Sequence, residues 1–170
     1  MALTVDTDTY ITRDDAFEYI SDNYPSTDPK RTAWENITQE DQDTYLRRAA
    51  KVLDRQPYVG FKAVSTQTME FPRAIYTDAR QYGELVDDFI HRDGWYIQQT
   101  VPDNVKFAQV EIALDLANGI SKRVELQRQG VKGFSIGKLS ESFTEGKPNA
   151  LPYEARELLK EYTAGGARIC

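Results

Sequence analysis

The fold class is decided by residues 38–55, TQEDQDTYLRRAAKVLDR. Thr38 is a favoured helix N-cap residue type, and the acidic residues that follow it suit the positive end of the helix dipole. This pattern predicts an amphipathic helix from about Gln39 to Arg55 with one face in the core. The inward-facing residues at helical spacing are Tyr45, Leu46, Ala49, Ala50 and Leu53.

Similar start and stop signals predict three further helices. One begins after Thr12 and carries an apolar stripe to Ile20, one has Pro102 in its first turn and ends at Asn118-Gly119, and the last covers Pro152 to Tyr162. Ser21 to Arg31 contains two prolines and is predicted to be a loop. These segments together predict a small helical bundle.

The remaining segments predict less helix. Tyr58 to Arg73 lacks a helical period and reads as extended chain with turns, whereas Asp78 to Arg92 carries a helical stripe weakened by Gly83. Arg123 to Phe143 alternates and contains glycines, which favours short strands or a hairpin. We therefore predict a mainly α fold with a short late β-hairpin: a single domain over 1–163, a β element near 123–143, and a flexible C-terminal tail over 164–170.

Composition and charge exclude several classes of protein. The 170 residues suit one domain, and 21 basic against 27 acidic residues give a net charge of −6. This balance argues against sequence-independent DNA binding and favours protein partners or a surface that DNA passes without binding. The only cysteine, Cys170, excludes an intramolecular disulfide, and the only histidine, His91, disfavours a histidine zinc site or a catalytic triad.

The sequence also predicts an intracellular protein without a membrane span. Its apolar runs are far shorter than the ~20 residues that cross a bilayer. The segment from Met1 to Tyr10 is acidic and lacks the basic and apolar regions of a signal peptide.

No motif predicts catalysis. Nucleotide-binding and zinc-protease signatures are missing, and Gly130 to Ser140 has the wrong glycine spacing for a phosphate loop, so a hairpin is favoured there. The acidic pairs read as solvated side chains, two of them at helix starts, rather than as acid–base or metal sites: Asp14-Asp15, Glu40-Asp41 and Asp87-Asp88. We expect a protein that is not an enzyme and uses no cofactor or metal.

Three features could bind a partner. Arg47, Arg48, Lys51 and Arg55 could contact phosphates, although pairing with Asp43, Asp54 and neighbouring acids on a solvated face is favoured. Aromatic residues near the chain middle could stack on bases, although core packing explains them more simply: Tyr58, Phe61 and Phe71. The glycine-bearing tail either is disordered or folds into a partner's groove.

The order and spacing of several short pieces resemble a phage protein family, the head-tail connector (adaptor, or head completion) proteins of tailed double-stranded DNA phages. The resemblance covers about residues 7–160, and some relatives carry the label DnaT-like single-stranded DNA-binding protein. The pieces are Tyr10-Ile11-Thr12, Trp34, Leu46-Arg47-Arg48-Ala49 with Leu53-Asp54, Gly60-Phe61-Lys62, Gln67, Phe71-Pro72-Arg73, and Val101-Pro102 with Val105, Ala108, Glu111 and Ala113-Leu114.

The resemblance implies a structural subunit in the virion neck, made in the host cytoplasm. Such adaptors dock on the portal protein, form a ring of usually twelve copies, extend the channel through which double-stranded DNA passes unbound, and receive a tail or stopper protein. Portal binding would fall on the tail: Ala164, Gly165, Gly166, Ala167, Arg168, Ile169 and Cys170. Contacts with neighbouring subunits or the next ring would fall on Val131, Phe134, Ile136 and Leu139. The alternative label implies a single-stranded DNA-binding replication accessory protein.

Overall fold

The structure, a computed structural model, describes residues 3–76, 89–92, 95–119, 133–136, 139–142 and 151–163. The helices are α1 (Arg13–Asn23), α2 (Pro29–Glu35), α3 (Gln39–Leu53), α4 (Asp103–Asn118) and α5 (Tyr153–Leu158). The strands are β1 (Phe61–Lys62), β2 (Arg73–Tyr76), β3 (Phe89–Arg92), β4 (Trp95–Gln98), β5 (Gly133–Ile136) and β6 (Leu139–Ser142). The fold is mainly α with short antiparallel strands, which confirms the predicted class.

The predicted helix boundaries follow from their capping residues. The Thr12 hydroxyl accepts a hydrogen bond from the N–H of Asp15 at 3.1 Å, and the Thr38 hydroxyl accepts one from the N–H of Asp41 at 3.2 Å. Gly119, with φ of 86°, ends α4. The outer limits differ slightly, since α3 ends at Leu53 rather than near Arg55 and α5 is shorter than predicted.

The predicted loop over Ser21–Arg31 is wrong at both ends. Helix α1 continues to Asn23, and α2 begins at Pro29. The Asp28 carboxylate caps α2 by accepting a hydrogen bond from the N–H of Lys30 at 2.8 Å. A proline in the first turn of a helix lacks only an N–H that would have no helical partner, so Pro29 starts a helix here instead of breaking a chain.

Helix α4 lies at the centre of the molecule and packs against α1, α2, α3 and α5. A helix surrounded by others must be apolar on most of its circumference, and α4 is buried over much of its length. The fully buried large side chains of this core include Leu114 of α4 itself and Trp34, Ile20, Leu46, Leu53 and Leu159 from other segments.

A four-stranded antiparallel sheet forms beside this bundle, with strand order β1-β2-β4-β3. The sequence predicted extended chain before Arg73 but did not predict this sheet. It also assigned Phe89 and Ile90 to a helical stripe, which is wrong because both lie in β3, paired with β4. The rest of that stripe, from 77 to 88, lies outside the described residues.

The predicted late hairpin is confirmed as β5 and β6, in which Ser135 pairs with Ser140. The backbones of Phe134, Ile136 and Leu139 lie in it, but their side chains, with Val131 and the tail over 164–170, lie outside the described residues. None of the described helices has the length and apolar character needed to span a membrane.

Candidate functional site

Three aromatic side chains form an exposed patch on the four-stranded sheet. Phe61 and Tyr76 are each 69% exposed, and Trp95 is half-buried between them. The Trp95 ring centroid lies 5.8 Å from that of Phe61 and 5.4 Å from that of Tyr76. Tyr76 pairs directly with Trp95, and Phe61 pairs with Ala74, two residues before Tyr76, so all three occupy one face. We call these three residues the aromatic patch.

The strands that carry the aromatic patch are fixed from behind by Arg73, which is only 4% exposed. Its guanidinium donates hydrogen bonds to the carbonyls of Val59 at 2.9 Å and Gly60 at 2.8 Å, and to the Glu70 carboxylate at 2.6 Å. A planar donor with several bonded N–H groups holds the chain segments that it joins in one arrangement. The patch is therefore presented by a rigid support.

The other aromatic residues that could have stacked on bases lie in the interior. The Phe71 ring contacts those of Tyr58 at 4.8 Å, Tyr162 at 5.3 Å and Tyr10 at 6.1 Å, all edge-on. The Tyr10 hydroxyl donates to the Asp54 carboxylate, and burial raises the pKa of both groups. Core packing is thus confirmed for Tyr58 and Phe71, whereas Phe61 is exposed.

The cations of α3 do not pair as predicted. The two acids expected to pair with them have other partners: Asp43 forms an ion pair with Arg13 at 3.3 Å, and Asp54 accepts a hydrogen bond from the Tyr10 hydroxyl. Arg47 forms an ion pair with Asp8 at 3.0 Å. The three cations further along are exposed, and no carboxylate in the described parts of the chain lies within ion-pair distance of them. These three, which we call the basic stripe, are Arg48, Lys51 and Arg55.

Helix α1 carries the opposite charge on its exposed face. Asp14, Glu18 and Asp22 recur every four residues and are exposed, and no cation among the described residues lies within ion-pair distance of them. We call these three residues the acidic stripe. Beside it lies a groove of about 530 Å³ between the starts of α1 and α3, lined in part by Phe17, which is 46% exposed, and by Ile37.

Glu111 and Gln109 are buried polar residues of α4. The sequence analysis included Glu111 only in the family resemblance and did not predict the burial of either residue. The Glu111 carboxylate, 2% exposed, accepts hydrogen bonds from the hydroxyls of Tyr19 at 2.9 Å and Tyr24 at 2.7 Å and lies 3.8 Å from the ammonium of Lys30. Burial raises the pKa of both tyrosines. This network joins α1, α2 and α4 inside the protein. The sequence signal that could have predicted this burial is a polar residue among the apolar positions of a helix.

Across the described ranges, no group of three or more histidine, cysteine, aspartate or glutamate side chains is placed to hold a metal ion. Of the predicted acidic pairs, Asp14-Asp15 and Glu40-Asp41 lie in the first turns of α1 and α3, and Asp87-Asp88 lies outside the described residues.

Comparison with known proteins adds one finding. A family model described as "Putative DnaT-like ssDNA binding protein" matches residues 2–169, almost the whole chain. No curated protein and no solved structure matches significantly.

Proposed function

We propose that this chain, which belongs to the family described as "Putative DnaT-like ssDNA binding protein", is a structural subunit of a phage neck, on the basis of the surfaces described above and of its resemblance to head-tail connector proteins. In this role it is a head-tail adaptor that forms a ring under the portal protein, extends the DNA channel and joins the head to a tail or stopper protein. It acts by association and has no catalytic step.

The aromatic patch is the observation that carries this proposal. Two aromatic side chains, Phe61 and Tyr76, are each 69% exposed on a rigidly supported sheet face. Clustered exposed aromatic surface marks a site of protein association, because burying it in an interface releases water from a large apolar area. The Trp95 ring contacts both other rings, which suits one continuous protein contact better than separate stacking places for bases.

The charge supports the same role. A net charge of −6 per copy gives a ring an acidic character, which favours passage of DNA over retention. Within the proposal, portal binding falls on the tail, Ala164 to Cys170, and the late hairpin contacts a neighbouring subunit or ring.

Substitution of the aromatic patch tests the proposal. The Phe61→Ser, Tyr76→Ser variant is expected to lose binding to the purified tail or stopper protein, measured by co-sedimentation, and to keep its fold by circular dichroism. Its binding to the portal ring is expected to persist, because the proposal places portal binding on residues 164–170. The matched control is Tyr153→Ser, since Tyr153 is 63% exposed but lies on α5, away from the sheet. Equal binding by both variants would refute the role given to the patch.

Single-stranded DNA binding is the second candidate, and the basic stripe favours it together with the family description. Unpaired cations can neutralise phosphates, and affinity for a single strand then falls steeply as salt rises. The test is binding of a labelled single-stranded oligonucleotide across a salt series. A replication accessory protein would lose binding in Arg48→Ala, Lys51→Ala, Arg55→Ala. An adaptor is expected to show no retention at physiological salt in either form.

A further inference from the structure

We infer that neighbouring copies of this chain contact each other through two different surfaces. One copy contributes the acidic stripe of α1 and the groove beside it, and the next copy contributes the basic stripe at the end of α3. The inference rests on the proposed ring-forming function and identifies the surface that closes the ring. The occupant of the groove is thus a second copy of this chain.

The two stripes match in length and in number of charges. Asp14 to Asp22 spans about 12 Å along α1, and Arg48 to Arg55 spans about 10 Å along α3 and the turn after it, at about 1.5 Å per residue. Each stripe has three exposed charges of one sign without an ion-pair partner among the described residues. Opposite potentials of similar extent favour association in one register and disfavour others.

The groove supplies the apolar part of this contact. Phe17 lies on the exposed face of α1 between positions of the acidic stripe, and Ile37 lines the groove beside it. On the other surface, Val52 lies next to Lys51 and is half-buried because it packs against the core of its own copy. An apolar centre with charges around it is the usual arrangement of a stable protein interface.

Within one copy, the two stripes form no ion pair with each other among the described residues. The ion pair that joins α1 to α3 is Arg13 with Asp43, and neither residue belongs to a stripe. Two different surfaces that fit each other form a head-to-tail contact, and such contacts close into rings when the rotation between copies allows it.

Charge exchange tests this interface. One variant pair, Glu18→Lys with Asp22→Lys, reverses the charge of the acidic stripe at two positions. The other variant pair, Lys51→Glu with Arg55→Glu, does the same for the basic stripe. All four positions are exposed, and Glu18 and Asp22 avoid the first turn of α1, where acids stabilise the helix. A fourth chain combines all four substitutions and keeps the net charge of −6.

Sedimentation velocity over a dilution series at low and high salt provides the readout. We expect the wild-type chain to form oligomers that weaken at high salt. Each variant pair alone should need on the order of 100-fold more protein to assemble, because like charges then face each other across the contact. A 1:1 mixture of the two pairs and the four-substitution chain should both assemble like wild type, which also shows that the separate variants are folded.

Three results would overturn the inference: a wild-type chain that stays monomeric throughout, variant pairs that assemble like wild type, or a mixture that does not recover. If the chain is nevertheless found in phage particles at a ring-like ratio to portal protein, only the interface is wrong. If the charge exchange behaves as expected but the chain is missing from particles, the interface stands and the adaptor function fails.

Discussion

The side-chain amide of Gln109 holds the backbone of Tyr10, a residue 99 positions earlier in the chain: its Oε1 accepts a hydrogen bond from the Tyr10 N–H at 2.8 Å. The same amide donates to the Thr9 hydroxyl and to the Leu46 carbonyl, each at 2.8 Å. Gln109 is completely buried. One polar side chain of α4 therefore ties the N-terminal segment and α3 to the centre of the fold.

Replacing Gln109 with leucine should destabilise the protein strongly. Gln109→Leu leaves the buried Tyr10 N–H without a partner and removes the amide's bonds to the Thr9 hydroxyl and to the Leu46 carbonyl, which keeps its helical bond within α3. We expect the free energy of unfolding from urea titration to fall by about 1–3 kcal/mol. Exposed Gln99 is the control, since Gln99→Leu should change it by less than about 0.5 kcal/mol. Similar values for the two variants would contradict the role of Gln109.

The buried tyrosines predict a loss of stability in alkali. The pKa values of Tyr10, Tyr19, Tyr24 and Tyr58 are raised above the ordinary 10.0, chiefly by burial. Between pH 10 and the raised values the unfolded chain releases tyrosine protons that the folded chain retains. The stability that these four tyrosines contribute to the folded protein is therefore fully present below pH 10 and is lost as the pH rises above it.

The Tyr10→Phe variant isolates one of these groups, because Tyr10 is only 1% exposed. Above pH 10, its free energy of unfolding should fall less steeply than that of wild type, by up to about 1.4 kcal/mol per pH unit. Exposed Phe17, which carries no titrating group, is the control, so Phe17→Leu should follow the wild-type slope. Parallel curves for wild type and Tyr10→Phe in urea titrations from pH 9 to 11 would contradict this account.

Helices with strong local signals could be predicted from the sequence. Thr12 and Thr38 cap α1 and α3 through bonds to residues three positions ahead, so the information is local. Helix α2 was missed because Pro25 and Pro29 were both taken as loop residues, although Asp28-Pro29 is also a cap followed by a first-turn proline. Whether a proline lies in a loop or in the first turn of a helix is decided by the residues around it.

The surfaces could not be predicted in the same way. Strand β3 has a spacing that also fits a helix, and it becomes a strand by pairing with β4, a choice made by tertiary structure. Phe61 was assigned to the core because it is aromatic, but its position opposite Ala74 turns it outward. The basic stripe was expected to pair with Asp43 and Asp54, whose partners, Arg13 and Tyr10, lie far away in sequence.

Alanine substitutions at two glycines with positive φ distinguish the free-energy cost of steric overlap from that of backbone strain. Gly60 has φ of 74° and Gly119 has φ of 86°. A Cβ at Gly60 would overlap the carbonyl oxygen of Ala74, whereas a Cβ at Gly119 would meet none of the described residues within 4 Å. Gly119→Ala should lower the free energy of unfolding by about 1–3 kcal/mol from strain alone. Gly60→Ala should cost more and disturb the strands under the aromatic patch. Equal losses of unfolding free energy for the two variants in urea titrations would show that the chain relieves the overlap at Gly60 without a further cost.

Removal of the tail tests the proposed portal contact. A chain ending at residue 163 retains every described helix and strand. We expect it to unfold at the same urea concentration as wild type but to lose co-sedimentation with portal rings. Replacing residues 164–170 with a glycine-serine segment of equal length is the control for length. Intact portal binding by either chain would show that the tail is not the attachment site.

The most direct test of the proposed adaptor function is quantitative mass spectrometry of purified, DNA-filled phage particles released by cells that carry the gene for this chain. The account predicts this chain at a fixed ratio to the portal protein, as two stacked rings require. Its absence from particles, together with abundance in infected cells, would contradict the adaptor function and favour DNA binding.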